Sequence, residues 1–312
     1  MEENNLNEIP GLTPEWVQQE IRRTRHNKEL ALYGICSAIG VLSVLGMIAS
    51  AVGADSAGGL AAAAGGDLGA LAPLILMITG FITGIGYLIA MSVWYIISLY
   101  QLYANQMAYS VKVSEKNFPE IYQKVQEYSQ LLGMRPPEVY VQQMNGELNA
   151  FTCWVPGKTF IQLNAEVVDV AYMEHRDLDP VLFILAHEMG HAYLHHVQLQ
   201  YNLWPMLVVF IPFVGPVILN NLLSRAREYS SDRVAQALTG GKAERETMML
   251  LSAGRHLYKY LDTADYYVKI TVDHNAIERL ARWVANLLAS HPIMPFRVRA
   301  ILDPSKKSGR LL

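Results

Sequence analysis

Residues 179–191 read DPVLFILAHEMGH, a helical pattern around which the second half of the chain is built. Pro180 suits the first turn of a helix, and Asp179 is expected to cap it. The residues that follow are apolar up to the first histidine, so this helix should be buried. His187 and His191 are four residues apart and therefore lie on one helical face, about one turn from each other.

This spacing predicts a zinc site. Two imidazoles one turn apart can bind a single Zn²⁺ at about 2.0–2.1 Å each. Glu188 follows the first histidine and can act as the base that takes a proton from water at the open position. H-E-x-x-H also arises by chance on solvated helices. In an apolar helix, however, unpaired His and Glu would be costly to bury, and a metal removes that cost.

A catalytic zinc needs a third protein ligand and an open fourth position. One class of zinc peptidase uses a third histidine ten positions after the first, but here that position is Val197. Another class uses a glutamate from a later helix, and Glu228 with Asp232 four residues on supplies this pattern. We expect Glu228 to bind zinc and Asp232 to accept the second ring N–H of a ligand histidine. A surface salt bridge is the alternative for Glu228 taken alone. His195 and His196 are interpreted as polar residues at a helix end near the membrane surface.

The composition indicates that part of the chain lies in lipid. Hydrophobic residues make up 52% of the 312 residues and charged residues only 17%, against about 25% charged in soluble domains. The net charge of −3 and the scattered lysines and arginines give no nucleic-acid surface. Cys36 and Cys153 form no C-x-x-C pair, which excludes a thiolate zinc knuckle and predicts two buried free thiols.

Two apolar stretches predict two transmembrane helices within residues 29–104. Residues 30–52 supply the roughly 20 apolar residues that cross a bilayer, and a second stretch runs from 71 to about 100. The first starts too late and runs too long for a cleaved signal peptide. A polar segment, residues 1–28, precedes them, with a helix start predicted at Thr13-Pro14.

The positive-inside rule sets the orientation of these helices. Four cations precede the first stretch, the connection at 53–70 carries no Lys or Arg, and three lysines follow the second stretch. Residues 1–28 and 105–312 are therefore predicted to be cytoplasmic.

The region 105–312 is predicted to have an α+β fold, mainly helical with a small sheet. A helix is expected over 114–133, ending near Gly133. The predicted strands are Glu138–Gln142, Ala150–Val155 and Thr159–Leu163, with a hairpin turn at Pro156-Gly157-Lys158.

Together these motifs resemble the HtpX-like membrane zinc peptidases, the gluzincin group that also contains the CAAX prenyl endopeptidases. The matching pieces are the two N-terminal spans, Asn149-Ala150-Phe151, His187–His191, Glu228–Asp232, and Ser290-His291-Pro292 with Arg297 beyond. The resemblance implies a zincin-type fold whose edge strand binds the peptide substrate by backbone pairing.

The resemblance also implies roles for four further residues. Asn149 and Ala150 would lie where the substrate backbone docks. His291 would be a catalytic residue that stabilises the oxyanion of the tetrahedral intermediate, and Arg297 would lie beside the substrate. The alternatives are that His291 only caps a helix and that Arg297 only holds acidic partners in place.

Relatives often place membrane helices between the two metal motifs, whereas here residues 203–223 offer only one span's length. A single crossing would put Glu228 on the opposite side of the membrane from His187 and His191. Pro212, Gly215 and Pro216 instead predict a hairpin that dips into the membrane and returns.

The predicted function is zinc-dependent hydrolysis of peptide bonds in membrane-associated or misfolded membrane proteins, with one Zn²⁺ per chain. The resemblance implies quality control in the cytoplasmic membrane, with the active site on the cytoplasmic side and polypeptides and the lipid bilayer as partners. Two alternatives are a CAAX-type processing peptidase and a non-catalytic scaffold that zinc stabilises. Glu188 argues against the scaffold, because a structural zinc site needs no base. The oligomeric state stays open.

Overall fold

The computed structural model describes residues 12–56, 72–241, 243–272, 275–303, 305 and 307–312. This part of the chain is mainly helical with one small mixed sheet, as the α+β prediction requires. Its α-helices are α1 Pro14–Thr24, α2 Glu29–Ser56, α3 Ala72–Tyr109, α4 Pro119–Leu132, α5 Ala165–Asp169, α6 Asp179–Tyr193, α7 Leu199–Met206, α8 Asn220–Thr239, α9 Glu244–Ala253, α10 Thr263–Thr271, α11 Ala276–Leu288 and α12 Met294–Leu302. Shorter helical turns lie at Val170–Glu174, Leu207–Phe210, Val214–Leu219 and Tyr258–Tyr260.

The sheet has four strands in the described residues, in the order β1-β2-β4-β3. They are β1 Val111–Lys112, β2 Glu138–Gln142, β3 Ala150–Val155 and β4 Lys158–Asn164. The pair β2–β4 is parallel and the other two pairs are antiparallel. The three predicted strands are confirmed, and so is the hairpin turn, where Gly157 has a φ of +88° that favours glycine. Strand β3 lies at an edge of the sheet, next to α6.

Helices α6 and α8 form the centre of the core and pack closely on each other. The apolar residues that lead to the histidines are buried as predicted: Val181, Phe183, Leu185 and Ala186 are 0% exposed. A Cβ atom on Gly190 would lie 3.1 Å from Ser231 Cα and 3.0 Å from Val234 Cβ on α8. The absence of a side chain at Gly190 therefore permits the close approach of the two helices.

Two predicted helix starts need correction, and one is confirmed. The Thr13 hydroxyl accepts the Trp16 N–H at 3.3 Å and caps α1. Asp179 does not cap α6, because the helix begins at this residue, and the Asp177 carboxylate accepts the Asp179 N–H instead. The helix predicted from 114 begins only at Pro119, because Phe118 adopts a left-handed conformation just before it.

Both cysteines are buried free thiols, as the sequence predicts. Cys36 lies on α2 and Cys153 on β3. They therefore belong to separate parts of the fold and hold no disulfide.

Helix α2 contains the membrane-span candidate of the described residues, Glu29–Ser50. Only 11% of its most apolar window is buried within the protein, so its side chains face outward along most of its length. The second predicted apolar stretch forms α3, which extends to Tyr109 and so passes the predicted boundary at 104. Residues 57–71, between the two helices, lie outside the described residues.

The apolar segment 203–223 is not one continuous helix. It comprises the second half of α7, a 3-10 turn at Leu207–Phe210, a π-helical turn at Val214–Leu219 and the first turn of α8. The two turns contact each other, and α7 and the first turn pack against α2. Between the two turns, Phe213 has a φ of +61° and is 83% exposed. The chain thus folds back at Phe213, and we call 203–223 the hairpin segment.

The contact of this segment with α2 depends on Gly40. A Cβ atom there would lie 2.8 Å from Leu207 Cβ and 2.9 Å from the Trp204 carbonyl oxygen. We therefore expect Gly40→Ala to lower the free energy of unfolding by about 1–3 kcal/mol, the usual cost of overpacking. Thermal unfolding of the purified protein in detergent measures this. Gly46→Ala, in the same helix, is the control, because no atom lies within 4 Å of the position that its Cβ would take. Equal losses in both variants would contradict the contact.

Candidate metal centre

Three side chains with free electron pairs meet between α6 and α8. The Nε2 atoms of His187 and His191 are 3.2 Å apart. The Glu228 carboxylate faces both nitrogens, with Oε2 at 3.4 Å from His187 Nε2 and Oε1 at 3.3 Å from His191 Nε2. His187 and Glu228 are 6% and 5% exposed. The structure thus brings together the three residues that the sequence predicts as ligands.

This donor set fits a zinc ion. Donors at about 2.0–2.1 Å from one tetrahedral ion are about 3.3 Å apart, which the observed separations match. Two imidazoles and a carboxylate are also a usual ligand set of catalytic zinc. Burial alone would lower the pKa of His187, yet its hydrogen bonds to Asp232 and Glu228 raise that pKa to about 10. This position therefore favours a positive charge.

Asp232 orients His187 from the other side of the ring. Its Oδ1 lies 2.8 Å from His187 Nδ1, and Arg297 donates to both carboxylate oxygens, at 2.9 and 2.7 Å. Burial alone would raise the pKa of Asp232, but the Arg297 charge and the His187 hydrogen bond lower it to about 2. The carboxylate accepts the Nδ1–H, so Nε2, which faces Glu228, is the nitrogen available to an ion.

His191 has a different partner on its second nitrogen. Its Nδ1 lies 3.1 Å from Nδ1 of His196, and His196 Nε2 lies 3.0 Å from Oε1 of Glu29. His196 follows the end of α6, as predicted, but it is buried, at 7% exposed; its position near the membrane surface stays a prediction. His195 does lie exposed, and its ring stacks on Tyr201. The sequence offered one signal for this contact: Glu29 is a carboxylate directly before an apolar span. That position does not identify His196 as its partner.

Glu188 lies beside the three candidate ligands and is 8% exposed. Its Oε2 is 2.7 Å from the Thr152 hydroxyl, which is also 2.8 Å from the Glu188 carbonyl oxygen. Thr152 belongs to the edge strand β3 and was not identified from the sequence. The hydroxyl can hold one carboxylate oxygen of Glu188 and leave the other free.

A cavity of about 280 Å³ opens over the candidate ligands. It is lined by the four further residues for which the resemblance implied a role. Asn149 and Ala150 line it along β3. His291 lies at its rim, 68% exposed, with Nε2 3.6 Å from Glu228 Oε1. Arg297 also lines the cavity, and the alternative role, holding an acidic partner, describes its contact with Asp232. Contacts of these four residues with substrate stay predictions.

Comparison with known proteins agrees with this geometry. The model of peptidase family M48 matches residues 115–305, which include all the candidate ligands and the cavity. A protein described as a protease HtpX homolog, from Halobacterium salinarum, is 34% identical over 79 residues. That match spans a quarter of this chain and a quarter of the relative. No solved structure matches the chain.

The Asp232 contact predicts the effect of one substitution on metal binding. Asp232→Asn should weaken zinc binding about 10- to 100-fold, because an amide can donate as well as accept and no longer fixes the His187 tautomer. Competition with a chromogenic chelator measures the affinity. Asp262→Asn, at the exposed start of α10, is the control. An unchanged affinity of the Asp232 variant would contradict the assigned contact.

Proposed function

Because the chain belongs to peptidase family M48, among its HtpX-like members, we propose that it is a zinc-dependent endopeptidase of membrane-associated or misfolded membrane proteins. Membership of this family makes it a metallopeptidase. The observation that carries the proposal is the position of Glu188, whose carboxylate lies in the same cavity as the three donors.

In this proposal His187, His191 and Glu228 hold the ion. Bound zinc supplies a Lewis acid that polarises the scissile carbonyl and makes water more acidic. The hydrogen bond from His187 to Asp232 keeps the ring in the tautomer that ligation needs.

Glu188 acts as the general base and then as the acid. Because Thr152 donates to Oε2, Oε1 is the oxygen that accepts a proton from the attacking water. The same carboxyl group then transfers this proton to the leaving amine. Thr152 would keep the carboxylate in one orientation through both transfers.

The edge of β3 supports binding of the substrate as an extended strand. On its other side β3 pairs with β4, while residues 148–152 line the cavity. A peptide that adds to this edge gains main-chain hydrogen bonds that do not depend on its sequence. We assign Asn149 and Ala150 to this docking edge, as the resemblance implies, and the arrangement supports assigning residues 105–312 to the zincin type.

His291 is the proposed oxyanion donor. Its exposed ring lies at the cavity rim with Nδ1 3.0 Å from the Ser290 hydroxyl, so that Nε2 is directed toward Glu228 and a carbonyl oxygen near it. An imidazole N–H in that position would stabilise the negative charge of the tetrahedral intermediate.

The apolar helix α2 supports a membrane location for the protein. We propose that α3 is a second span, that residues 1–28 and 105–312 are cytoplasmic, and that the hairpin segment enters the membrane with Phe213 at its tip. The cavity would then lie at the cytoplasmic membrane surface, where emerging or damaged membrane proteins can reach it.

No described feature favours a CAAX-type processing role, and the scaffold alternative conflicts with the cavity. Structural zinc sites are closed by four protein ligands, commonly cysteines. Here three donors and a carboxylate base border open space.

Replacing the base tests the enzymatic proposal. Glu188→Gln should lower casein cleavage at least about 10²-fold, because the amide cannot accept the proton, while the bound zinc stays equal to wild type. Glu127→Gln, on the exposed face of α4, is the control, and a chelator should abolish wild-type cleavage. Equal cleavage by wild type and Glu188→Gln would rule out this mechanism.

Cysteine labelling tests the path of the hairpin segment. Gln200 and Asn220 are exposed and flank its two turns. Single cysteines at both positions should react with an impermeant maleimide from the same side as a cysteine at the exposed Lys116, whereas the native thiols are buried. Reaction of the two positions from opposite sides would require a full crossing and exclude the hairpin.

A further inference from the structure

Glu29, the first residue of α2, is a buried carboxylate that the proposed mechanism does not use. It is 3% exposed. Arg25 donates to both of its oxygens, with Nε at 3.0 Å from Oε2, and the Ser230 hydroxyl also donates to Oε2. The remaining contact of Oε1 is with Nε2 of His196, at 3.0 Å. A carboxylate that receives a guanidinium and a hydroxyl in this way is an acceptor in all its hydrogen bonds.

Glu29 fixes the direction of the first hydrogen bond in a chain that reaches His191 through His196. Since Glu29 accepts, His196 Nε2 carries a hydrogen. The two Nδ1 atoms of His196 and His191 are 3.1 Å apart, so one of them donates and the other accepts. If His196 Nδ1 accepts, His191 carries its hydrogen on Nδ1, and its Nε2 presents an electron pair to Glu228 and His187.

The opposite arrangement would be incompatible with ligation. A hydrogen on His196 Nδ1 would make that ring a cation, or would require Glu29 to donate. It would also place the hydrogen of a neutral His191 on Nε2, among the metal donors. The Arg227 guanidinium lies 3.5 Å from the His196 carbonyl oxygen and opposes a second positive charge in this region.

We infer that Glu29 is a positioning residue for His191 and acts through His196. The inference rests on the proposed metal centre and extends it. Each ligand histidine then has its tautomer set by a buried carboxylate: Asp232 contacts His187 directly, and Glu29 reaches His191 through a second imidazole. Neither Glu29 nor His196 is a candidate ligand or lines the cavity.

This arrangement ties the first turn of the membrane-span candidate to the metal centre. Ser230, which donates to Glu29, lies on α8 between Glu228 and Asp232 and also accepts the His26 N–H. The start of α2 is therefore hydrogen-bonded both to the helix that supplies the third ligand and, through His196, to the second ligand.

The test measures zinc affinity of the full-length protein in detergent by chelator competition. Glu29→Gln should weaken binding about 10-fold or more, because Gln can also donate to His196 and reverse the chain of hydrogen bonds. Glu20→Gln, in the partly exposed pair with Arg23 on α1, should bind like wild type, and so should His195→Asn at the exposed position next to His196.

Two variants of His196 separate the hydrogen-bonding role from packing. His196→Asn keeps an acceptor near the position of Nδ1, whereas His196→Leu fills the buried space without one. We expect the Asn variant to lose less zinc affinity than the Leu variant. The absorption bands of bound Co²⁺ should change more in the Leu variant, because His191 would no longer present its Nε2 electron pair. The reverse order in affinity would assign His196 a packing role and overturn the inference.

The outcomes distinguish this inference from the proposed function. If wild type binds zinc and both Glu29→Gln and His196→Leu bind it equally tightly, the positioning role is wrong and the metal centre stands. If wild type binds no zinc, both fail. Thermal unfolding without added metal identifies misfolded variants. Where a His196 variant does not fold, the zinc affinity of Glu29→Gln, which preserves side-chain volume, decides between the two roles.

Discussion

Three unshared electron pairs that face one another in a buried place repel unless a positive charge lies among them. The Nε2 atoms of His187 and His191 and the Glu228 carboxylate form such a cluster, and much of the structure serves to hold it. Gly190 lets α6 and α8 approach closely enough for the donors to meet. Asp232, which Arg297 holds in place, contacts Nδ1 on the far side of the His187 ring. The hairpin segment folds back before α8, and α8 packs on α6 with the third donor beside the first two.

The parts of this architecture with local signals were predictable from the sequence. The strands and their turn follow from alternation and from Gly157. The ligands follow from helical spacing, because residues four apart share a face whatever surrounds them. Asp179 was wrongly predicted to cap α6: the helix already includes this residue, and the Asp177 carboxylate accepts its N–H, a distinction that depends on the backbone path.

The unpredicted contacts join residues that are distant in the sequence. Thr152 reaches Glu188 from a strand, and Glu29 reaches His196 from the start of α2. No periodicity relates such pairs, because their meeting depends on how whole elements pack. The same limit applies to the membrane region: an apolar helix such as α2 satisfies its own backbone and is visible in composition, whereas the fold-back at Phe213 depends on packing against it.

The position of β3 at the sheet edge has a consequence for which polypeptides the proposed peptidase could cleave. An unpaired strand edge is ordinarily a hazard, because any other sheet can extend from it. Here that edge lines a cavity of about 280 Å³, and in the described sheet no further strand pairs with it. In the proposed function, a polypeptide segment would therefore have to be extended locally before it could pair with this edge, whatever its sequence.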